Sequence, residues 1–395
     1  MILIYASILP ALAFGMFYTD IAYFLTAVQG LSDIFMGSVI MVMGITTVVA
    51  SIPLGIAADR YGRRKVLIIG NVVASLMIAI FALTTEPAVL FLGAVLEGVS
   101  EAAYSASSSA LMAEKAGDGR RTAVFSLSGF MGGIAFGIGG FAIPLVVVFE
   151  GFGYSNRESH IILYLVLAAL SLASTLLMLK VSESKTLRKE RGVKNLLPRK
   201  SMNVLMKYAL AGAIVAFGAG MFVPLMTRWL HLAYGVSDAI SGPILGMSSI
   251  LIGIATLAAP ALARRLGMVK AIVVTQAVST VFMFTTPLCP GYLLASALYT
   301  IRTFLMNMAG PLQQSMIMGL VAADERGAAS GISSALWRLP NSLSTTIGAW
   351  LMGIGLLAMP FYLATILYVI SITLFWFFFR TTKMPEEKNA LKSEQ

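Results

Sequence analysis

Glu97 and Glu101 stand one helical turn apart in a run otherwise built of Leu, Val, Ala and Phe. Tyr104, Ser105 and Ser108 continue the same face at steps of three and four. Two carboxylates side by side in an apolar run are suited to holding and releasing a proton. Arg302 and Gln313 lie on a comparable polar stripe later in the chain, and Arg338 sits in a further apolar run just before Pro340. Asp20 and Arg228 lie nearer the ends of their runs, where reaching the polar boundary competes with a functional role. The usual signs of bond-making chemistry are missing. The two histidines, His160 and His231, belong to no His-Glu-x-x-His pair, and the lone Cys289 can build neither a disulfide nor a cysteine-rich metal site. Cys289 reads as a small buried residue. Gly137 to Ala142 imitates a dinucleotide fingerprint but has no strand before it, and no phosphate-binding Gly-x-x-x-x-Gly-Lys-Ser/Thr loop occurs. No cofactor and no enzymatic activity are expected.

The elements that must position these groups are membrane-spanning helices. The chain has 395 residues, of which 58% are hydrophobic and only 12% charged, about half the charge of a soluble protein. Apolar runs of about 20 residues recur throughout, each long enough to cross a bilayer. The spacing predicts 12 spans, between residues 2 and 380, including a pair at 88–113 and 122–149. Residues 2–27 are too long for a secretory leader, lack a basic start and contain Asp20. The net charge of +10 is not a nucleic-acid signature, because Lys and Arg gather in alternate loops. Arg60, Arg63, Arg64 and Lys65 form one such cluster, and Arg264, Arg265 and Lys270 another. The loops near 28–34, 85–88, 234–238 and 286–291 hold no Lys or Arg. This alternation predicts a plasma-membrane protein with both termini in the cytoplasm.

The chain also repeats itself at an offset of about 205 residues. Gly15-Met16-Phe17 returns as Gly220-Met221-Phe222, and Gly30, Ser32, Asp33 and Gly37 return as Gly235, Ser237, Asp238 and Gly242. Arg60, Gly62 and Lys65 return as Arg265, Gly267 and Lys270, and Arg121 as Arg326. Residues 1–180 and 207–380 are therefore expected to form two pseudo-symmetric six-helix bundles, joined by a polar cytoplasmic linker at 181–206 and followed by a tail at 381–395.

Gly55-Ile-Ala-Ala-Asp59-Arg60-Tyr61-Gly62-Arg63-Arg64-Lys65 resembles the signature between helices 2 and 3 of the major facilitator superfamily. With the six-plus-six plan, the resemblance covers residues 1–380. It implies an all-α membrane fold that works by alternating access. It also implies a gate in which Asp59 meets Arg121 and the residues after Arg326, and a central cavity lined by helices 1, 4, 7 and 10. Asp20, Glu97, Glu101, Tyr104, Ser105, Arg302, Gln313 and Arg338 are the expected cavity residues. By the repeat, Glu97 and Arg302 stand at one depth in opposite halves, and Glu101 is the expected proton carrier. In the second half Arg264 stands where Asp59 stands, and Pro260 replaces Gly55. Gly133 to Gly140 partly resembles an antiporter motif without its proline, and Ala94 stands where many proton antiporters carry an arginine.

The expected activity is secondary transport of a small organic solute, proton-coupled and slightly favouring efflux, by a functional monomer in the lipid bilayer. Uptake or uniport of an organic anion read by Arg302 and Arg338 is the alternative. A non-transporting sensor or a membrane enzyme is the rival from another class.

Overall fold

Glycines and caps fix where the helices begin and end. A computed structural model describes residues 2–181, 200–321 and 326–381. Its first repeat contains α1 (Ile2–Tyr23), α2 (Asp33–Tyr61), α3 (Arg63–Leu83), α4 (Pro87–Ala142), α5 (Leu145–Gly151) and α6 (Asn156–Met178). Then come α7 (Met202–Gly220), α8 (Met226–Tyr234), α9 (Asp238–Leu266), α10 (Met268–Thr285), α11 (Tyr292–Leu320), α12 (Arg326–Gly353) and α13 (Met359–Phe379). No strand occurs among the described residues.

The repeat is visible in the backbone. The bounds of α2, shifted by 205 residues, are those of α9, and both helices have 29 residues. The turn that follows each needs a positive φ, 118° at Gly62 and 78° at Gly267, which glycine adopts without a Cβ clash. Ser32 caps α2 by accepting from the Phe35 N–H, and Ser155 with Glu158 forms a capping box at the start of α6.

Among the described residues, ten helical segments are long and apolar enough to cross a membrane. The 12-span expectation adds α11 and α12, which have 29 and 28 residues. Their polar residues, among them Arg302, Gln313 and Asn341, dilute the apolar runs. Large apolar side chains such as Val49, Ile69, Leu176 and Leu293 stand exposed on helix surfaces. In water such a surface would drive aggregation, whereas lipid accepts it.

Two details correct the expectation. The predicted break between 113 and 122 is helical backbone, part of one 56-residue run. That run still makes two passes. Glu97 near one end and Gly139 near the other both touch α1 within about a turn, at Tyr18 and Gly15. In a straight helix they would stand about 63 Å apart, so the run doubles back. Cys289 is half-exposed rather than buried, because a 3₁₀ turn at Thr286–Leu288 ends the α10 span just before it.

The described residues fall into two compact units, one within Met1–Lys189, Phe222–Gly253 and Ser342–Leu357, the other within Glu190–Met221, Ile254–Asn341 and Ala358–Gln395. The first contains α1 to α6, α8, the start of α9 and the end of α12. All three added pieces adjoin the loops that lack Lys and Arg, here termed the base-poor end. They pack through small residues. A Cβ on Gly140 would stand 2.7 Å from the Gly242 carbonyl oxygen, and one on Gly37 2.6 Å from the Ala349 methyl. Gly137 and Gly246 are equally close, so small residues form a packing face on this helix from Gly137 onward. At Gly129 and Gly133 the space is open. The second unit has its own core, with Ile272, Leu312, Met316 and Phe375 at its centre.

Candidate functional site

In the first unit, α4 carries Glu97 into a fully buried position against α1. The next residue, Gly98, lets α4 lie close against α2, because a Cβ there would meet the Met43 carbonyl oxygen at 2.6 Å. The Glu97 carboxylate accepts a hydrogen bond from the Tyr18 hydroxyl of α1. Tyr18 stacks on Phe14 and on Phe136, with ring centroids 6.0 and 6.4 Å apart. An acid buried in this way must be paired or protonated, since an isolated charge in a dry site is costly. Glu101, a turn later, is half-buried. Ser108 is buried, and Ser105 is exposed with its hydroxyl donating to the Ala102 carbonyl. Tyr104 packs on the Leu3–Leu67–Leu111 cluster inside the unit.

Asp20 and Arg228 have separate partners. Arg228 forms a two-pronged pair with Asp33, with N–O distances of 2.7 and 3.1 Å. Both side chains are largely buried, at 13% and 12% exposure. Neither Asp20 nor Arg228 is reaching for a polar boundary. Removing one partner of such a pair costs roughly 3–5 kcal/mol, because it leaves the other charge buried alone. Asp33→Asn and Arg228→Gln are each expected to lower thermal stability sharply. The exchange of both, Asp33→Arg with Arg228→Asp, should recover part of it. A double-mutant cycle on melting temperature reads the coupling, and additive losses would rule it out.

Asp20 is fully buried and accepts from the Tyr164 hydroxyl at 3.0 Å. Beside it His160 meets Asp238 at 2.8 Å between Nε2 and Oδ2, and the same nitrogen lies 4.0 Å from Asp20 Oδ2. The ligand atoms of Asp20, His160 and Asp238 lie within 4.8 Å of one another. The 2.8 Å contact is a hydrogen bond, however. Donors around one ion at about 2.1 Å stand further apart than that.

The second unit holds the other expected charges. Arg302 on α11 is 3% exposed. It donates to the Tyr368 hydroxyl of α13 and lies over that ring, 5.4 Å from its centroid. Gln313 and Arg338 are half-buried. In the signature loop Gly55 faces open space, Gly62 makes the turn, and Arg63 is half-buried. Arg60 is exposed over Tyr61, and Arg64 donates to the Leu179 carbonyl just past the end of α6, a favourable end for a cation. The side chains of Asp59, Arg121 and Arg326 lie outside those described.

The sequence did not single out Tyr18, His160, Tyr164, Asp238 or Tyr368. Asp238 was visible only as the repeat of Asp33. The tyrosines follow no local pattern that marks them.

Comparisons with known proteins give one family. The model of the Major Facilitator Superfamily matches residues 3–345. Inner membrane transport protein YajR of Escherichia coli (strain K12) is 28% identical over 169 residues, 42% of this chain and only 35% of that protein. The chain thus spans about a third of that relative. Multidrug resistance protein 2 of Bacillus subtilis (strain 168) is 23% identical over 363 residues, 88% of each chain. Among solved structures, a mutant of the nucleoside transporter NupG aligns with a TM-score of 0.78 at 16% identity, over 96% of this chain and 100% of that one. A D-xylose-proton symporter aligns with a TM-score of 0.73 at 16% identity, over 98% of both. At these identities the structures establish the fold.

Proposed function

The chain belongs to the Major Facilitator Superfamily, and from that premise we propose that it is a proton-coupled secondary transporter that exports small amphipathic organic solutes. The observation that carries this reading is the buried Glu97 held by Tyr18 between two aromatic rings. A carboxylate there can exchange its proton with a passing solute, and the rings offer an apolar wall. The likeness to Multidrug resistance protein 2 over most of both chains supports the direction. The basic loops support a plasma-membrane protein with both termini inside, and the sequence repeat supports six-helix halves at 1–180 and 207–380. Arg302 buried in α11, a cation able to meet an anionic group, supports import of an organic anion as the second reading.

Reconstituted vesicles decide between them. A panel of cationic, neutral and anionic compounds should show efflux-type movement of amphipathic compounds only with an imposed pH gradient. Gradient-independent uptake of anions would select the second reading, and no transport of any compound would sink both.

The signature loop is proposed to act as the gate on the basic side, through Asp59 with Arg121 and Arg326. Asp59→Asn is expected to slow transport severalfold, with substrate affinity and membrane insertion little changed. A wild-type rate in that variant would leave the loop a topological role alone.

A further inference from the structure

We propose that Asp20, His160 and Asp238 form a proton-binding latch at the base-poor end, separate from Glu97. One proton, shared between His160 and Asp238, is bound when this end is closed and leaves when it opens.

The argument is a count of hydrogens. His160 Nδ1 lies 2.8 Å from the Asn156 carbonyl oxygen. A carbonyl only accepts, so Nδ1 carries a hydrogen. A neutral imidazole of that tautomer has a bare Nε2. Yet Nε2 stands 2.8 Å from Asp238 Oδ2, a distance at which two lone pairs would repel. A second proton must lie between them, on the ring or on the carboxyl. Asp20 brings a second carboxyl oxygen to 4.0 Å from the same nitrogen. Its Oδ2 accepts from Tyr164, and its Oδ1 is buried with no hydrogen-bond partner among the described residues. The three side chains are buried, at 0%, 0% and 2% exposure. Two carboxyls and one imidazole packed out of water are most stable with a proton shared among them.

The site is built from both repeats. His160 and Asp20 come from α6 and α1 of the first repeat, and Asp238 is the first residue of α9 in the second. Moving α9 away separates Asp238 from His160, exposes both to water, and removes the reason to keep the extra proton. The other titratable groups nearby are already engaged. Arg228 is paired with Asp33, Tyr164 donates to Asp20, and Glu150 accepts from Asn156. Tyr23 of α1 meets the edge of His231 at 5.0 Å, and His231 Nδ1 lies 3.2 Å from the Val236 carbonyl oxygen.

Because the closed state binds one proton more than the open state, closure strengthens as pH falls and weakens as pH rises. The open-to-closed ratio should rise by up to about tenfold per pH unit across the titrating range. Spin labels at Tyr154→Cys and Ile240→Cys, in a Cys289→Ser background, place one reporter on each repeat at this end. In nanodiscs, without substrate, the short-distance population should grow as pH is lowered from about 9 to about 5. In His160→Gln, whose amide can still donate to Asp238 without titrating, that response should vanish, and Asp238→Asn should behave alike. A flat wild-type titration overturns the proposal whether or not either variant folds. So does a full pH response in His160→Gln. Zinc that shifts the distances at constant pH, reversed by a chelator and lost in Asp20→Asn, would assign the cluster to a metal ion instead. The readout requires no transport, so it stands or falls apart from the export reading.

Discussion

Glu97→Gln is expected to reduce pH-gradient-driven transport to the background of empty vesicles, while exchange of substrate across the membrane without a gradient persists. The substitution keeps the shape of the side chain. Its amide oxygen can still accept from the Tyr18 hydroxyl, so the stack of Phe14, Tyr18 and Phe136 has no reason to collapse. What it removes is the only atom pair at that position able to take up a proton. The sequence favoured Glu101 for this task, since its repeat partner is the uncharged Met306. Burial shifts the proposal to Glu97, because Glu97 is fully buried and Glu101 is half-buried. A less enclosed carboxylate can gain or lose its proton without moving substrate. Glu101→Gln should therefore keep part of the gradient response, and Tyr18→Phe should weaken it less than Glu97→Gln does. Vesicles carrying each variant, assayed with and without an imposed gradient, read the difference. Intact accumulation in Glu97→Gln would return the role to Glu101.

The two carboxylates show what a sequence can and cannot display. Helical spacing places Glu97, Glu101 and Ser108 on one stripe because the period of a helix is local. It cannot say which helix covers which part of the stripe. Tyr18 reaches Glu97 across 79 residues, and His160 reaches Asp238 across 78. No periodicity encodes such distances. The repeat was legible because its matches fall at loop glycines and helix starts, where backbone geometry restricts the residue. Gly62 and Gly267 duly share a positive φ. His160 escaped notice because a lone histidine matches no ligand spacing. Asp238 escaped it because a helix-start aspartate has an ordinary explanation in the helix dipole. Asp33 and Asp238 hold the same position in the two repeats, yet one binds Arg228 and the other His160. Pseudo-symmetry fixes the place of a side chain and leaves its partner to the packing.

The packing at the base-poor end yields the second large effect. Gly140→Leu is expected to favour the open arrangement of that end and to reduce transport in proportion. The backbones of the long run α4 and of α9 approach so closely that a single Cβ at Gly140 would lie 2.7 Å from the Gly242 carbonyl and 2.9 Å from the Gly246 Cα. Both obstacles are backbone, which cannot rotate aside as a side chain can. A leucine must push the helices apart. Overpacking of this kind costs about 1–3 kcal/mol, or roughly a 5- to 160-fold loss of the closed population. The open arrangement escapes this cost because the two backbones no longer meet. The effect is therefore on the balance of states rather than on folding. Gly129→Leu is the internal control, because a side chain there enters open space. The spin-label pair at Tyr154→Cys and Ile240→Cys reads the outcome directly. Gly140→Leu should lengthen that distance at every pH and Gly129→Leu should leave it alone. Equal distances in the two variants would show that the contact between Gly140 and Gly242 does not hold the end closed.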